Sequence, residues 1–159
     1  MTQRIKASRL IAIGITMAIV ALPISASASL GGDASSVDAD RVRVQGALLR
    51  NVRSDAYTLN EVQSSSGTLI RQYISSTGTV FGVAWEGPWL PNLRQILGPY
   101  FDTYQRTVQA TPGNRRARGS FTIDLPDLVV QMRGHPRAFS GRAYVPRLIP
   151  QRVQAESIR

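Results

Sequence analysis

The stretch YTLNEVQ-SSSG-TLIRQYI-SSTG-TVFGVAW, residues 57–85, decides the fold. Three segments rich in strand-forming residues, Tyr57–Gln63, Thr68–Ile74 and Thr79–Trp85, are separated by two four-residue turns that each end in glycine. Glycine adopts the positive φ of tight hairpin turns at little cost. The stretch therefore predicts a three-stranded antiparallel meander.

Apolar or small side chains occupy both faces of the third segment. Alternation places Phe81, Val83 and Trp85 on one face. The other face then carries the smaller residues, Val80, Gly82 and Ala84. Because a strand that is apolar on both faces is usually covered on both, this segment is expected to be central, with Trp85 in the core.

The strongest helical periodicity of the chain follows the meander. Its apolar residues recur three or four positions apart, at Leu93, Ile96, Leu97, Tyr100, Phe101, Tyr104 and Val108. Gly98-Pro99 interrupts the pattern, and proline removes a helical hydrogen bond. The segment Pro91–Ala110 is therefore expected to form one bent helix or two abutting helices.

Another helix is expected near the N-terminus of the domain. Ser35 and Asp38 approximate a capping box, and Val44 and Leu48 share one side of the helix that would follow. This helix is expected to end near Arg50.

Two more strands, Leu128–Arg133 and Arg137–Val145, are expected to form a C-terminal hairpin. The segment Pro146–Arg159 has no clear period and is expected to be a flexible tail, like Ser29–Ser36. The sequence thus predicts one α+β domain over residues 29–159. Its mostly antiparallel sheet would have about five strands, a three-stranded meander plus the hairpin, packed by two helices.

The first 28 residues have the three parts of a secretory signal peptide. Arg4, Lys6 and Arg9 precede an uncharged apolar run over residues 10–22, and small residues follow up to Ala28. A membrane anchor, the alternative, needs roughly 20 apolar residues. Cleavage after Ala28 is therefore expected, giving a periplasmic or secreted protein with no transmembrane segment in the mature chain.

Composition excludes several classes of site. The 159 residues include no cysteine and one histidine. Disulfide frameworks, thiolate zinc sites and multi-histidine metal centres are therefore excluded, and no cofactor motif or metal motif is present.

The chain is basic, with a net charge of +9. Loss of the three leader cations would lower it to +6 and leave an arginine-rich protein without lysine. Such a surface attracts phosphate, nucleic acid or anionic lipid, although GC-rich coding also enriches arginine. Export argues against nucleic acid as the partner.

His135 is the residue on which a hydrolase would depend, because it alone has a side chain that titrates near neutral pH. No G-x-S-x-G elbow distinguishes a serine. Asp124 and Asp127 flank Leu125-Pro126 in a way that resembles a turn rather than a catalytic pair. No catalytic residue is therefore assigned, and a small hydrolase using His135 remains the alternative.

Arg133, His135 and Arg137 surround one predicted turn, and they could converge on an anion, since arginine binds phosphate or carboxylate through paired hydrogen bonds. If they lie along the sides of a hairpin, they form only its solvated edge. The denser run Arg115–Arg118 lies in a predicted loop and is either functional or merely solvated. Of the two tryptophans, Trp89 is the candidate partner-binding residue.

Several motifs of this chain together resemble a known family. They include GTVFGVAWEGP at 78–88, PNLRQILGPYF at 91–101 and GHPRAFSGRAYVP at 134–146. With them, nearly the whole mature chain resembles a family of exported proteobacterial proteins catalogued as domain of unknown function 2844. The resemblance implies a small single-domain envelope protein and supplies no activity, substrate or catalytic residue.

The expected function is that of a non-enzymatic binding or envelope-associated module. Its partner would be another envelope protein or an anionic surface polymer. A serine or carboxylate within hydrogen-bond reach of His135, in an open pocket, would favour the hydrolase instead. A solvent-facing turn without such groups would favour the binding module.

Overall fold

A seven-stranded antiparallel sheet dominates the computed structural model, which describes residues 29–33, 47–110 and 120–159. The strands are β1 (Ala47–Arg53), β2 (Tyr57–Gln63), β3 (Leu69–Ser75), β4 (Val80–Gly87), β5 (Ser120–Leu125), β6 (Leu128–His135) and β7 (Ala138–Tyr144). Their order across the sheet is β1-β2-β3-β4-β7-β6-β5. Two meanders, β1 to β4 and β5 to β7, therefore meet where β4 pairs with β7.

One broken helix follows β4, as the Gly98-Pro99 interruption predicts. It consists of α1 (Leu93–Leu97), a 3-10 turn (Gly98–Tyr100) and α2 (Phe101–Ala110). The Asn92 side chain accepts a hydrogen bond from the Gln95 N–H and so caps the first turn. The prediction of one bent helix or two abutting helices is confirmed.

The helix packs on one face of the sheet, called the helix face below. The fully buried residues of this core include Val83, Trp85, Leu97 and Val130. Trp85 thus lies in the core, as its strand position predicts.

The opposite face, called the tail face below, is covered by the C-terminal segment. This segment contains two 3-10 turns, Pro146–Leu148 and Ala155–Ser157. Its Ile158 is fully buried against Tyr73, Phe81 and Ala84. The segment was expected to be a flexible tail, but apolar burial holds it on the sheet.

The N-terminal stretch Ser29–Asp33 also packs instead of forming a loose tail. Leu30 is fully buried, and its N–H donates to the main-chain oxygen of Ile96 at 2.9 Å. The rest of the expected flexible stretch, residues 34–36, lies outside the described residues.

The prediction of about five strands and two helices is wrong in two places. The helix expected to end near Arg50 gives way to β1, and residues 34–46 lie outside the described residues. β5 is a further strand that was not predicted, although Phe121 and Ile123 alternate with polar residues in it. The protein is therefore sheet-rich with a single helical stretch among its described residues.

A bulge overturns the predicted face of Phe81. The register of β3 and β4 shifts between Tyr73 and Ile74, so Phe81 is an extra residue on β4. Phe81 joins the tail-face cluster, while Val83 and Trp85 stay on the helix face. Strict alternation missed this because it assumes an uninterrupted ladder.

Candidate functional site

Polar side chains occupy two neighbouring rows on the tail face, beyond the buried Ile158. Directly opposed residues of paired strands point to the same face of a sheet. Across β3, β4, β7 and β6, the first row is Arg71, Ala84, Arg142 and Gln131. The second row is Leu69, Glu86, Ser140 and Arg133.

The second row has a small residue, Ser140, between the longer Glu86 and Arg133, which leaves a depression in the surface. In the first row the small residue, Ala84, is buried beside Ile158 and does not line this depression. The resulting groove has a volume of about 380 Å³. This volume is in the range of small-molecule sites in proteins.

The groove is strongly cationic. Its charged lining consists of four arginines and one glutamate, namely Arg71, Arg133, Arg142, Arg159 and Glu86. Because the guanidinium group stays protonated in proteins, the groove carries positive charge at any physiological pH.

Arg142 is held in place from two sides. Its Nε donates to Oε1 of Gln131 at 2.8 Å. Its Nη1 donates to the main-chain oxygens of Ala155 at 3.0 Å and Ile158 at 3.1 Å. The same guanidinium therefore fastens the C-terminal segment and forms part of the groove wall.

Arg71 is oriented by acidic and main-chain groups. Its Nε donates to Oε1 of Glu61 at 2.9 Å, and its Nη1 lies 3.7 Å from Oε2 of Glu86. Nη1 also donates to the main-chain oxygen of Arg159 at 3.3 Å. Arg71 thus connects the polar rows to the end of the C-terminal segment.

Tyr73 completes the attachment of this segment. Its hydroxyl donates to the main-chain oxygen of Arg159 at 2.9 Å and accepts from the Arg159 N–H at 3.1 Å. Burial raises the pKa of Tyr73 above its usual value, although the hydrogen bond to Arg159 and the charge of Arg71 act in the opposite direction. The phenol therefore stays neutral and remains a donor at physiological pH.

Arg133 and Arg159 are the uncommitted charges of the groove. Both residues are exposed, and within the described ranges no hydrogen bond or ion pair engages either guanidinium. They are therefore free to bind a ligand without breaking an existing contact.

A second depression adjoins the groove on the tail face. It has a volume of about 520 Å³ and includes Tyr57 and Leu59 in its lining. The two depressions share Arg71, Glu86 and Arg159. They therefore form one continuous surface, cationic on one side of Arg159 and partly aromatic on the other.

The predicted anion-binding residues do not all converge. Arg133 lines the groove, whereas His135 and Arg137 lie outside its lining, at the β6–β7 hairpin. His135 is exposed. In the part of the chain that the structure describes, no hydroxyl or carboxylate forms a hydrogen bond or ion pair with it.

Trp89 is exposed, with 60% of its surface accessible, whereas Trp85 is buried. Asp127 lies in the β5–β6 turn and pairs with Arg147 at 3.6 Å, while Asp124 is an exposed residue of β5. The basic run Arg115–Arg118 lies outside the described residues.

Two findings about the described ranges 29–33, 47–110 and 120–159 bear on the class of site. No three histidine or acidic side chains in them are grouped so that they could hold a metal ion. None of their helices has the length and apolar character needed to cross a bilayer.

Sequence reasoning missed Arg71, Arg142 and Arg159 as groove residues. A local signal exists for two of them, because Arg71 and Arg142 each lie two positions from an aromatic residue that packs on the tail face. Their meeting across β3 and β7 depends on the pairing of β4 with β7, whose sequences are more than 50 residues apart. A local pattern contains no information about that pairing.

Comparison with known proteins gives one match. No curated protein and no solved structure matches the chain. The family described as Protein of unknown function (DUF2844) matches residues 26–158, nearly the whole described fold. The chain belongs to this family, as its motifs indicate.

Proposed function

We propose that this chain is an exported, non-enzymatic protein that binds an anionic surface polymer of the cell envelope through the tail-face groove. The observation that carries the proposal is the groove itself, in which four arginines face a single glutamate. Arginine binds carboxylate and phosphate groups with paired, charge-assisted hydrogen bonds. The ligand class is therefore anionic.

The arrangement of the arginines supports a polymer rather than a small ion. Arg71 and Arg142 are fixed by protein partners, while Arg133 and Arg159 are free. Successive anionic groups along a chain can engage the two free guanidinium groups in turn. The adjoining depression, with Tyr57 in its lining, provides further contact area for an extended ligand.

Export supports the envelope as the location of this ligand. The described part of the chain begins with Ser29 and the buried Leu30, directly after the expected cleavage site. Removal of residues 1–28 would therefore leave every contact described above intact.

We expect cleavage after Ala28, because a charged part, an apolar part and a stretch of small residues precede that site in the order typical of a signal peptide. Intact-mass analysis of protein recovered from an exporting host measures the N-terminus directly. A chain that retains residues 10–22 would contradict processing and leave the protein tethered.

Replacing both free arginines of the groove, Arg133→Gln with Arg159→Gln, is expected to weaken polymer binding at least about tenfold, because each charged hydrogen bond contributes about 1.5–3 kcal/mol. Titration calorimetry with polygalacturonate tests a carboxylate polymer, and titration with polyphosphate tests a phosphate polymer. Neutral dextran is the control ligand and should not bind.

The matched control variant is Arg106→Gln with Arg152→Gln, which removes the same charge from two exposed sites outside the groove lining. It should bind within about twofold of the wild type at 0.15 M salt, where distant charges are largely screened. Equal losses in the two double variants would show that net charge, and not the groove, determines binding. Absence of binding to both polymers would overturn the proposal.

A further inference from the structure

A second surface, outside the groove, lies at one end of the sheet. Gly87 of β4 pairs with Phe139 of β7. Trp89 follows Gly87 by two residues, and Arg137 precedes Phe139 by two residues. Because paired strands lie only about 5 Å apart, the loop after β4 and the β6–β7 hairpin emerge side by side.

The loop after β4 presents two apolar side chains to solvent. Trp89 has 60% of its surface accessible and Leu90 has 48%. Together with Leu49 on β1, they are the large exposed hydrophobic residues of the described ranges. Because Trp89 and Leu90 are consecutive residues, the exposed apolar area is concentrated at one place on the surface, as it is at interaction sites.

Neighbouring residues hold this loop in a fixed position. The buried Thr68 hydroxyl donates to the main-chain oxygen of Trp89 at 2.7 Å. Gly87 approaches Thr68 so closely that an added Cβ would lie 2.6 Å from the Thr68 Cα. The exposed pair is thus presented by an ordered main chain, which reduces the entropy lost on binding.

The adjacent hairpin contributes positive charge at a conformational cost. Arg137 has a φ of 68° and is the one described residue other than glycine with a positive φ. That conformation costs an L-residue about 1–2 kcal/mol, and it places an exposed arginine at the hairpin tip. Arg133 lies on the same hairpin and is also exposed, but it lines the groove, so Arg137 is the cation that belongs to this surface alone. Glu86 is the acidic residue on β4, and its carboxylate is paired with Arg71 at 3.7 Å.

We infer that this end of the sheet docks onto an anionic lipid surface, with Trp89 and Leu90 entering the headgroup region and Arg137 contacting lipid phosphates. Tryptophan partitions to the membrane interface because its ring is apolar and its N–H is polar. Weak apolar insertion combined with cationic side chains is the usual requirement for reversible attachment to a membrane surface. This end of the sheet has exposed apolar side chains after β4 and a cationic side chain before β7.

Tryptophan fluorescence tests the inference with the protein recovered after export. Trp85 is buried and Trp89 is exposed, and residues 1–28 contain no tryptophan. A change on vesicle addition therefore reports on Trp89. Vesicles with equal parts of phosphatidylglycerol and phosphatidylcholine should shift the emission to the blue and protect it from acrylamide quenching, whereas pure phosphatidylcholine should have little effect.

Two variants outside the groove lining give the expected magnitudes. Trp89→Ser should lower vesicle partitioning, measured by co-sedimentation, about tenfold, because it removes the apolar area of the ring. Arg137→Gly should lower it about fivefold by removing one cation near the surface, while unfolding no more easily than the wild type, since glycine relieves the positive φ. A merely structural role of Arg137 would predict unchanged partitioning.

The controls separate this inference from the groove. Leu49→Ser and Arg152→Gly make the corresponding changes at other exposed positions and should partition like the wild type. Trp89→Ser and Arg137→Gly should bind the polymers like the wild type, because both residues lie outside the groove lining. If the wild type binds no polymer but partitions to anionic vesicles, only the proposed function is overturned. Absence of a spectral change with the anionic vesicles, or an equal change with the neutral vesicles, would overturn the lipid surface as the partner.

Discussion

Replacing Leu97 with alanine is expected to lower the free energy of unfolding by about 2–5 kcal/mol. Leu97 ends α1 and is fully buried in the helix-face core. The truncation loses the transfer energy of the side chain and leaves a cavity that its neighbours fill only in part.

Urea denaturation followed by circular dichroism measures this loss through the midpoint, at an unchanged slope. Leu90→Ala is the matched control, because it removes the same atoms from a side chain that is about half exposed. It should change stability by less than about 0.5 kcal/mol. An unchanged midpoint for Leu97→Ala would mean that the helix does not pack on the sheet in solution.

The local parts of this fold could be predicted from the sequence because their signals are local. The β2–β3 and β3–β4 hairpins have glycine at a positive φ, Gly67 and Gly78, at the turns that the sequence indicates. The helix after β4 has a full apolar stripe and a proline at its break. In each case the residues that determine the element are within a few positions of one another.

The strands that were missed have weaker or interrupted signals. β1 is an edge strand with a register shift between Leu48 and Arg50, and it exposes Leu49. Leu48 follows Val44 by four positions, which is the spacing of a helix face, so the helical interpretation extended too far. β5 has clear alternation around Ile123, but it follows a basic run whose composition indicates a loop, and Pro126 directly follows it. Both neighbours favour turns, so the strand is not predicted.

The candidate site was only partly predictable. Arg133 was selected because it lies near a turn with two other polar residues, but the structure pairs it with Ser140 and places it in the groove. Arg142 was not selected, since its role depends on the C-terminal segment returning over the sheet. The sequence of that segment contains prolines and no period, so it indicated a tail.

Trp85 in the core was predicted, but the residue that accommodates it was not. Gly141 pairs with Trp85 across β4 and β7. A Cβ at Gly141 would lie 2.7 Å from Cε2 of the Trp85 indole and 2.8 Å from the main-chain oxygen of Gln131. Glycine is therefore required at position 141, because the Trp85 indole lies too close for a Cβ. This contact forms only when β4 pairs with β7.

Gly141→Ala is expected to destabilise the protein by about 1–3 kcal/mol, the usual cost of overpacking a well-filled core. Neither obstacle can move easily, because Trp85 is 1% exposed and the Gln131 oxygen belongs to the ladder of β6. In the described part of the chain the indole N–H has no hydrogen-bond partner, so Trp85→Phe removes bulk there without removing a hydrogen bond. The cost of Gly141→Ala should therefore be smaller in the Trp85→Phe background.

Thermal and urea denaturation of the two single variants and the double variant complete a double-mutant cycle, in which a coupling above about 0.5 kcal/mol shows direct contact. Ser140→Ala is the control, because it changes the adjacent exposed residue of β7 and should alter stability by less than about 0.5 kcal/mol. Additive effects of Gly141→Ala and Trp85→Phe would contradict the packing of the indole over Gly141. They would also contradict the pairing of β4 with β7, on which both rows of the groove depend.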